Sequence, residues 1–173
     1  GAIFVEDKEL AARMRSICQH GKGEGKYDIV RVGMNSRLDT MQAAVLLAKF
    51  PYLAAWGARR REIAALYTSA FAGVAGVTPP PVDPANEHIF HQYTIRAERR
   101  EALLTHLKSR GIGHKVYYPL ALHLQPCFEY LGVRAGALPI TERATAEVVS
   151  LPIYPELTSA QTDAVIAAVR EFY

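Results

Sequence analysis

Proline and glycine cut this chain of 173 residues into short pieces, and that punctuation limits its fold more than any other feature. Pro51 cannot continue a helical hydrogen-bond ladder and pushes the residue before it out of helical geometry, so a helix opening near Thr40 ends at Phe50. Gly73 and Gly76 end a second helix, and Pro79-Pro80-Pro81-Val82-Asp83-Pro84 makes a stiff extended connector. Ser109-Arg110-Gly111 closes a helix over about Arg99 to Lys108, and Pro119 cuts off a strand Lys115-Val116-Tyr117-Tyr118. No apolar run approaches the roughly 20 residues a membrane-spanning helix needs, and no internal repeat is visible.

Two periodicities fill these pieces. Behind an Asp7 cap, Leu10, Met14 and Ile17 recur at helical spacing and predict a helix to about Gln19. Trp56, Ile63, Leu66, Tyr67, Ala70 and Phe71 stripe the helix after Pro51, which leaves Arg59, Arg60 and Arg61 to a solvated face. Leu103, Leu104 and Leu107 do the same for the next helix. Pro126 opens a short helix, a further one runs from about Thr141 to Ser150, and Thr158 with Gln161 makes a capping box for the last, striped by Val165, Ile166, Val169 and Phe172. Ile89, His91, Tyr93 and Ile95 alternate with Phe90, Gln92, Thr94 and Arg96, the period of a strand with two unlike faces. A strand, a short-linked helix and a second strand predict an α+β unit in which a helix covers one face of a small sheet.

The ends of the pieces carry further expectations. Gly1-Ala2-Ile3-Phe4-Val5 reads as a buried strand that needs neighbours on both sides, with nothing before it and the next candidates far downstream; with no initiating Met, it predicts that the chain is the C-terminal part of a longer protein. Gly21-Lys22-Gly23-Glu24-Gly25-Lys26 follows a helix instead of a strand and lacks a closing Gly-Lys-Ser/Thr, so it reads as a mobile loop and not a phosphate loop. Tyr27 to Val32 is a short extended piece.

Composition excludes several classes of function. With 50% hydrophobic and 21% charged residues the chain can bury a core. The net charge of +3 is scattered, without a basic stripe interleaved with aromatics, so nucleic-acid binding has no support. Cys18 and Cys127 stand far apart and read as free thiols in a reducing cytoplasm. His88 and His91, three apart on the expected strand, would face opposite sides and share no metal. No cysteine–histidine nucleophile pattern, serine elbow or carboxylate pair stands out, which points to positioning of a substrate rather than attack on it.

The positioning candidates are Asn35, Arg37, Tyr117, Tyr118 and His123. In Gly33-Met34-Asn35-Ser36-Arg37-Leu38-Asp39-Thr40, Asp39 caps a helix with Gln42 three residues on, so Asn35 and Arg37 precede a helix N-terminus, where donors and a positive dipole end favour anions. They either tie down a turn or hold a phosphate. Arg can clamp a carboxylate or phosphate and tyrosine can bind sugar hydroxyls while covering apolar faces, so a sugar nucleotide would suit the set. Equally, Tyr117 and Tyr118 can be half core and half surface, and His123 can tether its loop.

Four motifs in order then resemble one family. Val32 to Ala44, His91-Gln92-Tyr93-Thr94, Val116-Tyr117-Tyr118-Pro119 with Leu122-His123-Leu124-Gln125-Pro126, and Leu151-Pro152-Ile153-Tyr154-Pro155 are similar to the DegT/DnrJ/StrS group of PLP-dependent sugar-nucleotide aminotransferases. The subgroup they look most like aminates the 3-oxo sugar of a UDP-N-acetylhexosaminuronic acid, as in cell-surface polysaccharide or glycan biosynthesis. The resemblance implies a fold-type I aminotransferase with a large PLP-binding domain and a smaller C-terminal α+β domain, a small antiparallel sheet packed with helices, working as a cytoplasmic homodimer with shared active sites. On this frame residues 1–34 are a remnant of the large domain carrying one strand and one helix, 35–75 are connecting helices and 76–173 are the C-terminal domain.

The same resemblance places the Schiff-base lysine, the partner of the pyridine nitrogen and the ring-stacking aromatic upstream of this sequence, so that this chain alone would be inactive. Asn35 would bind the phosphate of pyridoxal 5'-phosphate held by the partner subunit, and Arg37, Tyr117 and Tyr118 would contact the nucleotide sugar, with His123 beside them. The amino group would come from glutamate. The other reading is a stand-alone module that binds a sugar nucleotide or a protein without catalysis.

Overall fold

The structure is a computed structural model that describes residues 2–25 and 27–173. It divides into two compact units, residues 1–51 and 52–173. No helix among the described residues is long and apolar enough to cross a membrane.

The first unit is built on two helices. Helix α1 spans Lys8–Cys18, and Asp7 caps it as expected by accepting from the backbone N–H groups of Glu9 and Leu10. Helix α2 spans Thr40–Lys49, where the Asp39 carboxylate accepts the N–H of Gln42 at 2.8 Å. Between them the chain doubles back. Gly23 N donates to Asp28 O at 2.7 Å and Val30 N to Gly21 O at 3.0 Å, so the glycine-rich segment expected as a mobile loop is one arm of an irregular hairpin. Lys26, part of that expectation, lies outside the described residues.

The strand expected over Gly1 to Val5 is not formed by the described residues 2–5, and Gly1 lies outside them. A strand needs a paired neighbour for its backbone groups, and no strand among the described residues pairs with that run. Phe4 is 92% exposed. Helix α2 is equally bare: Met41, Val45, Leu46 and Leu47 are all exposed, although a helix apolar on every side is one that proteins bury.

The second unit carries the core. A 3-10 turn at Phe50–Tyr52 leads into helix α3, Leu53–Phe71. The sheet is antiparallel with spatial order β1 (Val77–Thr78), β2 (Tyr93–Ala97), β3 (Val148–Leu151). Helices α4 (Arg100–Ser109), α5 (Pro139–Glu147) and α6 (Ser159–Phe172) complete it. Tyr67, Phe71, Tyr93, Ile95, Leu103, Leu107, Val149 and Val169 have no solvent exposure and draw α3, β2, α4, β3 and α6 onto one core. This is the expected α+β class with a small antiparallel sheet and helices packed on it. The last helix opens on its predicted capping box, Thr158 with Gln161.

Two boundaries and one stripe position differ from expectation. The strand starts at Tyr93, not Ile89, because Phe90 takes a left-handed φ of 46° and tucks its ring into the core out of alternation. His88 and His91 therefore lie in a loop, with His88 Nδ1 accepting the N–H of Phe90 at 3.0 Å. The helix expected to reach Ser150 ends at Glu147, and residues 148–151 become the strand that pairs with β2, Tyr93 opposite Leu151 and Ile95 opposite Val149. Adjacent β-branched Val148 and Val149 favour that pleated, half-buried surface. Finally, Leu66 is half exposed instead of sharing the α3 stripe, which runs through Ile63, Ala64, Tyr67 and Phe71.

Tyr67 also ties α3 to the chain beyond β3 by donating its hydroxyl to Pro152 O at 2.9 Å. Burial raises the pKa of Tyr67 and of Tyr93 above the ordinary tyrosine value of 10.0. Because the unfolded chain releases those protons first, stability is full below pH 10 and falls as pH rises beyond it. Tyr67→Phe is expected to cost about 1 kcal/mol at neutral pH and to make the alkaline fall shallower, as read by urea unfolding at neutral pH and above the ordinary tyrosine range.

Candidate functional site

The turn that holds Asn35 and Arg37 is built from the end of α1. Met34 N donates to Ile17 O at 2.8 Å, His20 N to Met34 O at 3.0 Å and Ser36 N to Cys18 O at 2.9 Å, so residues 34–36 lie along the helix terminus through an isolated bridge of Asn35 to Gln19. Gly33 permits this approach. A Cβ at that position would stand 2.1 Å from Gly21 N, closer than any side chain tolerates. Asn35 is exposed, and its Oδ1 accepts from Arg37 Nε at 3.3 Å. That bond orients both side chains and leaves the Asn35 amide N–H groups and the Arg37 terminal nitrogens as donors. Four residues on, Asp39 opens α2.

Residues 115–118 do not form the expected strand. Lys115 alone pairs, exchanging both backbone bonds with Ser150 on the free edge of β3 (2.7 and 3.2 Å). Pro119 has no N–H to continue the ladder and biases Tyr118 toward an isolated extended geometry. Tyr117 and Tyr118 are thereby released from the sheet, 42% and 68% exposed, with their rings edge to face at 5.9 Å. Neither is core. Tyr117 stands at the rim of a cleft of about 770 Å³ walled by the 91–92, 111–115 and 150–154 segments.

His123 is held inward. It lies in a 3-10 turn, Leu122–Leu124, with only 8% of its side chain exposed, and its Nε2 stands 3.1 Å from Glu142 Oε1. The carboxylate of Glu142 also accepts the N–H of Gly136 at 2.8 Å and that of Leu138 at 3.2 Å. The Gly136 bond is the main reason its pKa lies below the usual glutamate value, assisted by Leu138 and His123. His123 thus does the tethering that the sequence allowed as one of its two roles. Its partner Glu142 was not legible as such, although an acid in the first turn of a helix opened by Pro139 is the kind of residue that gathers loop N–H groups.

Asn35 and Arg37 stand together in the first unit, and Tyr117, Tyr118 and His123 belong to the second. The second unit also puts the arginine run to a use that periodicity missed. Instead of a solvated face, Arg59 Nη2 donates to Leu157 O at 3.1 Å, Arg60 Nη1 to the carbonyls of Phe90, His91 and Ile153 at 2.9–3.2 Å, and Arg61 pairs with Glu87 at 2.7 Å.

Comparison with known proteins follows the same lines. A Geobacillus stearothermophilus pleiotropic regulatory protein is 48% identical over the whole of this chain and 47% of its own length. A Streptomyces venezuelae dTDP-3-amino-3,4,6-trideoxy-alpha-D-glucose transaminase is 41% identical over 99% of this chain and 45% of its own. A Pseudomonas aeruginosa UDP-2-acetamido-2-deoxy-3-oxo-D-glucuronate aminotransferase is 38% identical over 98% and 46%. The X-ray structure of S. venezuelae DesV superposes with a TM-score of 0.91 at 42% identity, over 96% of this chain and 44% of that one. The chain therefore spans about half the length of the curated relatives it matches.

The Glu142 carboxylate joins three segments, and its depressed pKa makes that contribution present above the ordinary glutamate range and lost as pH falls through it. Glu142→Gln is expected to destabilise the chain at neutral pH and to flatten its acid dependence, with faster amide exchange at Gly136 and Leu138; thermal unfolding from neutral to acid pH and exchange at those two amides check it.

The profile of the DegT/DnrJ/EryC1/StrS aminotransferase family matches residues 1–170, and the chain belongs to that family.

Proposed function

We propose that this chain is the C-terminal part of a PLP-dependent aminotransferase that moves an amino group from glutamate to the 3-oxo carbon of a nucleotide sugar. The observation that carries the reading is the Asn35–Arg37 pair, bonded side chain to side chain on an exposed turn ahead of α2, in a chain the family profile matches over residues 1–170. The named sugar transaminases among its relatives, from Streptomyces venezuelae and Pseudomonas aeruginosa, support the substrate class. We place a UDP-N-acetylhexosaminuronic acid first, on the four motifs and the Pseudomonas relative. The bare α2 and the unpaired apolar run at residues 2–5 fit a unit that packs against a large domain and a second subunit.

The donor set suits a phosphate-bearing cofactor. With Asn35 Oδ1 committed to Arg37, the Asn35 amide hydrogens remain to donate to a phosphate oxygen, and among the described residues no acidic side chain pairs with Arg37. When bound, pyridoxal phosphate supplies the electron sink for amino transfer. This chain's part is to bind and orient. Asn35 holds the phosphate of the cofactor that the partner subunit carries. Arg37 meets an anionic group of the nucleotide sugar with its terminal nitrogens. Tyr117 and Tyr118, freed from the sheet, present hydroxyls and ring faces to the sugar. His123 keeps the loop behind them in place through Glu142.

A second reading takes its support from the name of the Geobacillus relative, a regulatory protein. In it the same surface binds a sugar nucleotide or a protein without turnover. The test uses the full-length protein. Asn35→Ala should weaken uptake of pyridoxal phosphate about tenfold, and Arg37→Ala should raise the KM for the nucleotide sugar by a similar factor, each the size of one lost hydrogen bond to a charged group. Absorbance titration and initial rates with glutamate and a 3-oxo sugar nucleotide read the two effects. A full-length protein that takes up no cofactor and transfers no amino group would sink the first reading and leave the second.

A further inference from the structure

The cleft beside Tyr117 has lips from two distant stretches of chain. One is His91-Gln92 and the other Pro152-Ile153-Tyr154. Neither lip is regular structure, so each needs an outside anchor to keep its place. Helix α3 supplies it. Arg60 Nη1 donates to His91 O at 3.2 Å and Phe90 O at 3.2 Å on one lip, and to Ile153 O at 2.9 Å on the other. Tyr67, two turns along the same helix, holds Pro152 O, and Arg59 holds Leu157 O. One guanidinium nitrogen, on a residue outside the lining, therefore bonds both lips.

The wall has a sign. Lys108, Lys115, His91 and His114 line it, and no aspartate or glutamate does among the described residues. Neither lysine is in a salt bridge with the described carboxylates. Arg60 is also unpaired by any acid there, so its charge adds to the field of the cleft. At about 770 Å³ the space suits a ligand of nucleotide-sugar size.

We propose that this cleft takes the diphosphate end of the nucleotide sugar on Lys108 and Lys115, and that Arg60 is the positioning residue that holds its lips at binding width. The proposal rests on the function proposed above for its ligand, and it adds a subsite and a residue remote from Asn35 and Arg37 in sequence. Arg60 does not touch the ligand. Its Nη1 is spent on three carbonyls, and a lysine, whose ammonium sits on a shorter stem, would keep the charge but only part of that reach.

The test measures the dissociation constant of UDP-N-acetylglucosamine on the full-length protein by calorimetry, separately from turnover. Arg60→Met should weaken binding on the order of tenfold, the effect of losing charged hydrogen bonds that hold the site. Arg60→Lys should recover only part of it, and uptake of pyridoxal phosphate should stay unchanged. Lys115→Met, a change at an exposed side chain, should weaken binding severalfold and reduce its dependence on salt, since one exposed cation has been removed from an anion site. Binding by the wild type without any amino transfer would overturn the reading of function and leave the subsite standing. No binding by the wild type, or unchanged binding in both a folded Arg60→Met protein and the Lys115→Met protein, would overturn the subsite itself.

Discussion

The second unit depends on how α3 meets the sheet and the chain that leaves it. Tyr67 is the centre of that contact. Its ring lies 5.8 Å from Phe71 and 5.1 Å from Tyr93, buried between helix and strand, and its hydroxyl finds the Pro152 carbonyl. A tyrosine there gives apolar area to the core and a donor to the loop in one side chain. Tyr93 repeats the device, with its hydroxyl 2.9 Å from Thr68 Oγ1. Once these rings fix α3 against β2, Arg59 and Arg60, about two turns earlier on the helix, reach carbonyls at Phe90, His91, Ile153 and Leu157. The walls of the cleft follow from that geometry.

The first unit is of another kind. It is tied together by backbone bonds among the end of α1 and residues 19–36, and it leaves most of its large apolar side chains exposed. Backbone bonds can specify a turn closely without a core beneath it, which is how Asn35 and Arg37 keep a defined relation on an exposed surface. Close packing of main chain, with Gly33 against Gly21, does the work that side-chain burial does elsewhere. Such a piece presents groups rather than enclosing them.

Much of this was legible in the residues. The caps at Asp7, Asp39 and Thr158 were read correctly because each bond spans only two or three residues, a distance that sequence displays directly. The stripes of α4 and α6 were legible because 3.6-residue spacing survives in any context. What failed needed a partner far away in the chain. Val148 to Leu151 look like the tail of a helix until β2, more than fifty residues earlier, offers them a strand to pair with. Tyr117 and Tyr118 look like strand residues until the sheet stops accepting them after Lys115. A run of three arginines beside a glutamate has the pattern of a wet helix face, and nothing local tells it from a set of carbonyl clamps.

By itself, then, the sequence determined the α+β class, the starts of the capped helices, the family and the candidate residues Asn35, Arg37, Tyr117, Tyr118 and His123, because motifs, caps and periodicity act over short stretches of chain. Only the tertiary structure decided that Tyr117 stands at the rim of a cationic cleft, that His123 turns inward to Glu142, and that Arg60 joins two lips sixty residues apart in sequence. The reason is the reach of the interactions. A hydrogen bond or a charge acts over a few ångströms, and the groups it joins here are brought that close only after the core has formed.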